Sequence, residues 1–223
     1  MSDVVIRQAQ LYDLSAAAVF LGQRRRIYDG IVRHSQARPG ERVLDLGTGT
    51  GYLASRVARA IAPNDQVPAP NDEVPAPNDE VPGPNDEVPG ADSRVAGVDP
   101  SPTMVRFAQR RVPGDADFRV ARAQELPFND ASFDLVVSCL AFHHISPADR
   151  PRALSEAHRV LVPGGRLMLA DLRRPRNPVV RTVFRHGLHE NPVDDEQVAA
   201  AGFELITRAE SWPLLQLMLA RRV

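Results

Sequence analysis

The chain has no lysine and only one cysteine, and these scarcities exclude several kinds of chemistry. All 27 basic residues are arginines, so a lysine Schiff base or a lysine general base is excluded. The single Cys139 cannot support a disulfide framework or a zinc site with several cysteine ligands. The chain also lacks an apolar run of the roughly 18–20 residues that a membrane helix needs, so we expect no membrane segment.

The length and the N-terminal stretch indicate a single cytoplasmic domain. MSDVVIRQAQ carries acid and arginine where a secretory signal would have an apolar core. A chain of 223 residues, 43% of them hydrophobic, is enough for one well-buried domain and leaves little for a second. We therefore predict one domain over residues 1–223, and the sequence leaves open whether it is a monomer or a homodimer.

Residues 63–90 are four copies of a seven-residue unit, PNDQVPA, PNDEVPA, PNDEVPG and PNDEVPG. Each unit has two prolines, which interrupt a helix, and one valine, which buries too little surface to fold. We predict a disordered surface loop with polyproline character. It is either a repeat expansion that the fold tolerates, at a loop-closure cost of ~1.5 kcal/mol, or an arm that binds a partner or shields a basic surface.

The repeat hides the charge of the rest of the chain. Its acidic residues contribute −7 to a formal net charge of −1, so the 195 residues outside it carry +6. Arginines cluster in this basic part at residues 24–26, 110–111 and 173–174. Clustered basic residues are typical of nucleic-acid binding, although arginines on helix faces are usually just solvated.

Outside the repeat, strand and helix patterns alternate with short links. Strands are predicted at 41–46, 94–99, 116–121, 133–139 and 165–172, and helices at about 10–36 in two pieces, 52–61, 101–111, 147–161 and 194–203. Residues 203–212 and 214–222 predict a closing antiparallel pair, and residues 1–38 an N-terminal helical lid. The alternation predicts an α/β fold with a mostly parallel sheet and helices on both faces.

A glycine-rich turn, residues 47–51, joins the first strand to the helix that follows. Glycines let the backbone turn sharply and approach a ligand closely, in front of a helix N-terminus. A dinucleotide fingerprint needs G-x-G-x-x-G, whereas the third glycine here falls one residue early. Asp45, two residues before the turn, would repel a pyrophosphate but suits the ammonium of S-adenosylmethionine.

An acid suited to ribose hydroxyls lies at the right distance from this turn. Asp99 follows Gly51 by 48 residues, and the 28 residues of the repeat lie between them. Without the repeat the interval is 20 residues, which is the separation expected in a regular strand–turn–helix–strand unit. The spacing therefore supports a nucleoside-containing ligand and places the repeat in a loop of an otherwise regular unit.

Four segments in order resemble the class I S-adenosylmethionine-dependent methyltransferases, over essentially the whole chain. They are DLGTGTG, VAGVDPSPTMV, ARAQELPFNDASFDLVVSCLAFHHI and LVPGGRLMLADL. The last two are similar to the subgroup that includes the ubiquinone and menaquinone biosynthesis methyltransferases. The resemblance implies a Rossmann-like seven-stranded sheet with an antiparallel last strand, and S-adenosyl-L-methionine as cofactor. The 195 residues outside the repeat leave no room for a dedicated RNA-binding or protein-docking domain, so we expect a small-molecule acceptor that is aromatic, quinone-like or a secondary metabolite.

The resemblance also assigns the cofactor contacts. Asp45 and the turn glycines would line the methionine end, and Asp99 would bind the ribose. The complete set is Asp45, Gly47, Gly49, Gly51, Asp99, Pro100, Met104, Ala123, Gln124, Cys139 and Leu140. Arg122 stands where the family often has an acid for the adenine amino group, so Gln124 or a main-chain carbonyl would have to accept that hydrogen bond.

The acceptor should bind beyond the carboxyl ends of the strands. His143 and His144 directly follow the fourth strand and are the best-placed general bases, since imidazole titrates near neutrality. His143 is preferred, because the family often has a polar, substrate-facing residue there, but both histidines could serve only the scaffold. Tyr12 and Tyr28 either line the acceptor pocket or pack as ordinary aromatic residues of amphipathic helices.

Two alternatives to small-molecule methylation stay open. RNA methylation would use the basic body, but the N-P-P-Y type motif of adenine N6 enzymes is absent, which disfavours nucleic acid as a partner. The other alternative is a non-catalytic, cofactor-binding scaffold whose repeat recruits partners. No metal is expected, because His186 and His189 have i, i+3 spacing but no third ligand nearby.

Overall fold

The structure is a computed structural model that describes residues 22–62, 94–112, 114–173, 193–212 and 215–223. The strands are β1 Val43–Leu46, β2 Val95–Asp99, β3 Asp117–Val120, β4 Phe133–Cys139, β5 Leu161–Leu172, β6 Phe203–Trp212 and β7 Leu215–Arg222. The helices are α1 Arg24–Ser35, α2 Tyr52–Ile61, α3 Pro102–Arg111, α4 Arg150–Val160 and α5 Asp195–Ala200, with a 3-10 helix at Phe142–His144. The predicted repeat, Tyr12, His186 and His189 lie outside the described residues.

The strands form one seven-stranded sheet in the order β3-β2-β1-β4-β5-β7-β6. Neighbouring strands from β3 to β5 are parallel. Only β7 runs the other way, between β5 and β6 and antiparallel to both. The predicted Rossmann-like class, with its antiparallel last strand, is confirmed.

Successive strand residues face two separate hydrophobic layers, because side chains of a strand alternate between the faces of a sheet. Val43 and Leu135 belong to the layer that α1, α2 and α3 cover. Leu44 and Val136 belong to the layer that α4 and α5 cover. The central strands are thus buried on both faces, as expected for a parallel sheet, and helices cover both sides as predicted.

The start of α3 follows the capping chemistry of its sequence. The Ser101 side chain accepts a hydrogen bond from the Met104 backbone N–H at 3.4 Å, and Pro102 occupies the first turn, as predicted. At the N-terminus, the second of the two predicted helical pieces is α1, and the first lies outside the described residues.

The start of β5 differs from the prediction, in which Pro163, Gly164 and Gly165 link the helix to a strand that begins at Gly165. The helix ends at Val160, and β5 begins at Leu161. The Ser132 N–H donates to the Val160 carbonyl at 2.8 Å, and Phe133 pairs with Leu161 in the sheet. Because this backbone bonds to β4 and the loop before it, the Pro-Gly-Gly segment lies inside β5.

The segment that contains the repeat lies in sequence between the end of α2 at Ile61 and the start of β2 at Val95. The Gly40 N–H donates to the Ile61 carbonyl at 2.9 Å, which ties the end of α2 to the chain just before β1. Since β1 and β2 are parallel, Ile61 and Val95 both lie at the amino edge of the sheet. The glycine turn lies at the opposite, carboxyl edge.

Candidate active site

A cleft that is partly open to solvent lies at the carboxyl ends of β1, β2 and β4. Its walls come from the glycine turn, the end of β2, the segment after β3 and the loop after β4. The lining residues are Leu46, Gly47, Gly49, Val98, Asp99, Pro100, Met104, Ala121, Arg122, Ala123, Gln124, Ser138, Leu140, Ala141, Phe142, His144 and Ile145. This is where open parallel sheets bind ligands.

Two glycines of the turn are required by close packing as well as by backbone conformation. Gly47 has φ +70°, and a Cβ there would lie 2.3 Å from the Ala141 Cβ in the loop after β4. Gly51 has φ +76°, and a Cβ there would lie 2.8 Å from the Ala108 Cα of α3. Gly51 therefore serves the packing of α2 against α3, whereas Gly47 lets the β4 loop close over the turn.

Asp45 is a buried carboxylate below the turn. The Thr48 hydroxyl donates to its Oδ2 at 2.9 Å. Burial raises the pKa of Asp45 to about 7, the hydrogen bond from Thr48 opposes the shift, and the negative charge of Asp99 adds to it. The side chain is thus half-ionised near neutral pH and gains its charge most easily when a cation binds beside it.

Asp99 joins the end of β2 to the turn. Its Oδ2 accepts from the Gly49 N–H at 3.0 Å, and its Oδ1 accepts from the Ser101 N–H at 2.9 Å. Burial raises the pKa of Asp99, while these two hydrogen bonds oppose the shift. A carboxylate has about four acceptor sites, so it can hold the turn and still accept from a ligand in the cleft.

A smaller pocket, about 290 Å³, adjoins the cleft and shares Gly47 and Gly49 with it. It brings together residues from α1, β1, the turn, α2 and β4, among them Arg24, Tyr28, Asp45, Tyr52 and Cys139. Burial raises the pKa of the Cys139 thiol far above its usual range, so the thiol stays protonated. The position of Cys139 in this wall excludes it as an ionised nucleophile.

His143 and Asp171 form a hydrogen-bonded pair at the ends of β4 and β5. The His143 backbone N–H donates to Asp171 Oδ2 at 2.8 Å, and its ring Nδ1 lies 2.7 Å from Asp171 Oδ1. A carboxylate only accepts, so Nδ1 carries the proton and Nε2 is the basic nitrogen. The ring of His144 lies 4.0 Å from that of His143, and it is His144 that lines the cleft.

Two fully buried arginines hold the loops around the cleft. Arg111 donates through Nη1 to the Thr50 hydroxyl at 2.7 Å and to the Thr50 carbonyl at 3.1 Å, which fixes the turn against α3. Arg150 donates through Nε to the Ile145 carbonyl at 3.2 Å, beneath the loop after β4. Both side chains are buried in the interior. Of the two arginines expected to form a basic patch at residues 110–111, Arg111 is therefore not at the surface.

The comparisons with known proteins agree with this geometry. The family model Methyltransf_11, a methyltransferase domain, matches residues 86–169. The ubiquinone/menaquinone biosynthesis C-methyltransferase UbiE of Hahella chejuensis is 30% identical over 181 residues, which cover 79% of this chain and 61% of that protein. These matches support a class I S-adenosylmethionine-dependent methyltransferase of the UbiE-like type and indicate S-adenosylmethionine as the cofactor. The chain spans about three fifths of the length of the curated relatives it matches.

Solved methyltransferase structures share the fold. An S-adenosylmethionine-dependent methyltransferase from Mesorhizobium loti has a TM-score of 0.59 at 19% identity, covering 83% of this chain and 93% of that one. The cyclase SpnF has a TM-score of 0.62 at 21% identity, covering 88% of this chain and 80% of that one. A cyclase among the neighbours shows that this fold serves more than one chemistry, so function must be argued from the site.

The methyltransferase fold brings most of the predicted cofactor residues together. Eight of them line the cleft: Gly47, Gly49, Asp99, Pro100, Met104, Ala123, Gln124 and Leu140. Asp45 and Cys139 line the smaller pocket, and Gly51 lines neither of the two. Leu140 has φ +54°, a strained conformation for leucine, where the chain leaves β4 and enters the cleft wall.

Tyr28, predicted for the acceptor pocket or for packing, is buried at 4% exposure in the methyltransferase core. Its ring meets that of Tyr52 edge to face, with 4.9 Å between the centroids. It also lines the smaller pocket, next to Asp45. Tyr28 is thus a packed aromatic residue, one of its two predicted roles, and it borders the smaller pocket and not the cleft.

Sequence reasoning missed two side chains of this methyltransferase site, Asp171 and Arg24. Asp171 has a usable signal, because it is a lone acid at the end of the apolar strand LMLADL, at the edge where ligands bind. Arg24 has none, because it is one of three consecutive arginines and only the packing of α1 separates it from Arg25 and Arg26.

Within the described ranges, no helix is long and apolar enough to cross a membrane. Over the same part of the chain, no group of three or more histidine, cysteine, aspartate or glutamate side chains is placed to hold a metal ion.

Proposed function

We propose that this protein transfers a methyl group from S-adenosylmethionine to a small aromatic, quinol-like acceptor. The observation that carries the proposal is that one cleft is lined both by the glycine turn with Asp99 and by His144. One side suits a nucleoside, and the other carries imidazole. The UbiE relatives are C-methyltransferases of ubiquinone and menaquinone biosynthesis, which supports the acceptor class.

Residues of the described cleft fit the donor. Asp99 keeps acceptor capacity for the ribose hydroxyls, and Met104 and Pro100 offer apolar contact for a base. Gln124, 8% exposed, supplies an amide at the far wall. When bound, the donor supplies an activated sulfonium methyl, so the protein mainly has to align the acceptor and exclude water.

The acceptor side has an arrangement suited to removing a phenolic proton. A phenolate pushes electron density into its ring, which makes a ring carbon nucleophilic and permits C-methylation. We propose His143 as the base, with Asp171 orienting the ring and stabilising the imidazolium that forms. The ring of His144 lies 4.0 Å from that of His143 and lines the cleft, so we propose that His144 contacts the acceptor beside the base.

Labelling with the native host's own molecules tests the acceptor class. The protein is incubated with methyl-labelled S-adenosylmethionine and, separately, with the small-molecule and RNA fractions of a host extract. We expect label in an aromatic small molecule and none in RNA above a control without protein. Label in RNA alone would establish the nucleic-acid alternative, and label in neither fraction would support a cofactor-binding scaffold.

Calorimetry tests the donor. We expect binding of S-adenosylmethionine and S-adenosylhomocysteine but not of NAD, because Asp45 and the early third glycine disfavour a pyrophosphate. Asp99→Ala should weaken S-adenosylhomocysteine binding by about 1–3 kcal/mol, through lost charge-assisted hydrogen bonds to the ribose. The control is Glu125→Ala, which removes an exposed acid next to Gln124. NAD binding without S-adenosylmethionine binding would overturn the donor assignment.

A further inference from the structure

Arg150, the first residue of α4, is a buried cation beside the proposed base pair. Its side chain is 1% exposed, and its Nε donates to the Ile145 carbonyl at 3.2 Å. Ile145 directly follows His144 in the turn after β4. Asp171 holds His143 of the same turn through the backbone N–H and the ring Nδ1. Arg150 and Asp171 therefore fix one short turn from two different elements.

The charge of Arg150 acts on two carboxylates. Burial lowers the pKa of Arg150 below its usual range, and the negative charges of Asp171 and Asp194 oppose that shift. Contacts in the sheet bring the two acids to one region. Gln216 pairs with Asp171 across β5 and β7, and its Nε2 donates at 3.1 Å to the carbonyl of Val193, which precedes Asp194. Arg150 thus offsets part of the negative charge at the end of β5.

Other charged or titratable groups surround the His143–Asp171 pair. They are His144 in the same turn, Cys139 on β4, Asp45 on β1, Arg24 on α1, Arg173 directly after β5, its ion-pair partner Glu210 on β6, Arg150 on α4 and Asp194 before α5. Among them, Arg150 interacts with Asp171 itself. Its charge therefore reaches His143 through the carboxylate that both side chains share.

A carboxylate that is hydrogen-bonded to an imidazole stabilises the imidazolium, because the opposite charge favours the added proton. A histidine that already holds this proton cannot act as a base. A guanidinium acting on the same carboxylate weakens the effect, since it attracts the carboxylate and repels the imidazolium. The balance of these two charges determines how readily the ring gives up its proton.

We infer that Arg150 is a positioning residue that holds the turn after β4 and sets the pH at which His143 becomes free to accept a proton. The inference rests on His143 being the base of the proposed function, and it deepens that function. The charge of Arg150, and not only its hydrogen bond to Ile145, carries the effect.

Histidine-ring NMR of the full chain without acceptor follows the titration of His143 directly, and the loss of its signal in His143→Ala assigns it. Arg150→Met should move the titration midpoint of His143 up by about 0.5–1 pH unit, because Asp171 then acts on the ring unopposed. Arg150→Lys keeps the charge and should hold the midpoint within about 0.2 unit of wild type. The matched control is Arg152→Met, which removes an arginine of α4 that is 67% exposed and should move nothing.

Asp194→Asn should have the opposite effect. Asparagine caps a helix as well as aspartate does, so α5 keeps its N-cap. Without the Asp194 charge Arg150 opposes Asp171 more fully, and the His143 midpoint should move down by about 0.2–0.5 pH unit. In turnover assays Arg150→Met should lose about 3- to 10-fold below the wild-type midpoint, and this deficit should narrow as the pH rises.

The outcomes separate this inference from the proposed function. If His143→Ala keeps full turnover, His143 is not the base, and the NMR titrations still decide what Arg150 does. If His143 titrates alike in wild type, Arg150→Met and Asp194→Asn, the inference is wrong. Equal shifts in Arg150→Met and Arg150→Lys also overturn it, because the charge would then have no part. If Arg150→Met does not fold, Asp194→Asn decides: a downward shift supports the inference, and no shift or an upward one refutes it.

Discussion

Replacement of His143 by alanine is expected to lower turnover by about 10²–10⁴-fold and to leave S-adenosylhomocysteine affinity nearly unchanged. The hydrogen bonds from His143 to Asp171 hold the ring in one orientation, with Nε2 as its basic nitrogen. Removing the ring removes the proton acceptor but none of the cleft residues proposed to hold the donor. The loss should therefore appear in turnover and not in donor binding.

Rates measured against pH identify the base. Wild type should show an inflection that His143→Ala loses, whereas an inflection from Asp45, whose pKa lies at about 7, should persist in the variant. Asp171→Asn should lower turnover by about 10–100-fold and alter the His143 inflection, because an amide neither holds the Nδ1 proton nor stabilises the imidazolium. His34→Ala is the matched control, an exposed histidine of α1 whose Nδ1 lies 2.8 Å from the Gly30 carbonyl.

One pair of results would assign both histidines to the scaffold. If His143→Ala keeps full activity at every pH and His144→Ala unfolds the protein, neither ring is a base. Catalysis would then rest on alignment of donor and acceptor alone, which is chemically sufficient for an activated sulfonium methyl.

Replacement of Asp45 by asparagine is expected to raise stability and weaken donor binding at the same time. In the unfolded chain an aspartate titrates near 3.9, whereas burial holds the pKa of Asp45 at about 7 in the folded protein. Between these values the folded state binds more protons than the unfolded state. The free energy of unfolding therefore falls as pH rises from about 4 to 7, by up to about 4 kcal/mol, and stays low above that.

The variant lacks this titration, so it should be more stable than wild type by up to about 4 kcal/mol at pH 8 and by only about 1.5 kcal/mol at pH 5. S-adenosylhomocysteine binding should change in the opposite sense. At pH 8 the variant should bind about 10- to 100-fold more weakly, because it lacks the charge that faces the ammonium. At pH 5 the two proteins should bind alike, since Asp45 is then protonated in wild type.

Urea unfolding measures the stability of both proteins at pH 5 and pH 8, and calorimetry measures their S-adenosylhomocysteine binding at the same two pH values. The control is Asp134→Asn, because the Asp134 shift has the opposite sign. Burial tends to raise the pKa of Asp134, but hydrogen bonds from Arg42 outweigh it and hold the pKa below its usual range. This control should lose stability at pH 8. If Asp45→Asn loses stability there as well, Asp45 is not the buried, uncompensated acid described above.

The elements of the fold could be predicted because their signals are local. Alternating apolar strands and 3.6-residue helical patterns gave the order of elements, and Ser101 with Pro102 gave the start of α3. The end of α4 was predicted to within one residue, but the start of β5 was predicted four residues too late, since Pro-Gly-Gly reads locally as a link between helix and strand. The decisive bonds there come from Ser132 and Phe133, about 28 residues away along the chain.

By itself, the sequence determined the donor half of the site. The turn from Gly47 to Gly51 is contiguous, and Asp99 follows it at a spacing that survives removal of the repeat. In a strand, tight turn and helix that follow one another directly, the sequence spacing of residues largely determines their relative positions, because backbone stereochemistry allows few conformations. The same local rules gave the position of His143 and His144 after β4, but not the partner of either ring.

Only the tertiary structure decided which charged side chains complete the site. Asp171 reaches His143 across 28 residues, and Arg111 reaches Thr50 across 61. Arg24 enters a pocket with Asp45, while its neighbour Arg25 stays in solvent. These choices depend on how α1, α3 and β5 pack on the sheet. An arginine or aspartate has the same local pattern whether it faces water or a pocket, so burial and distance alone distinguish them.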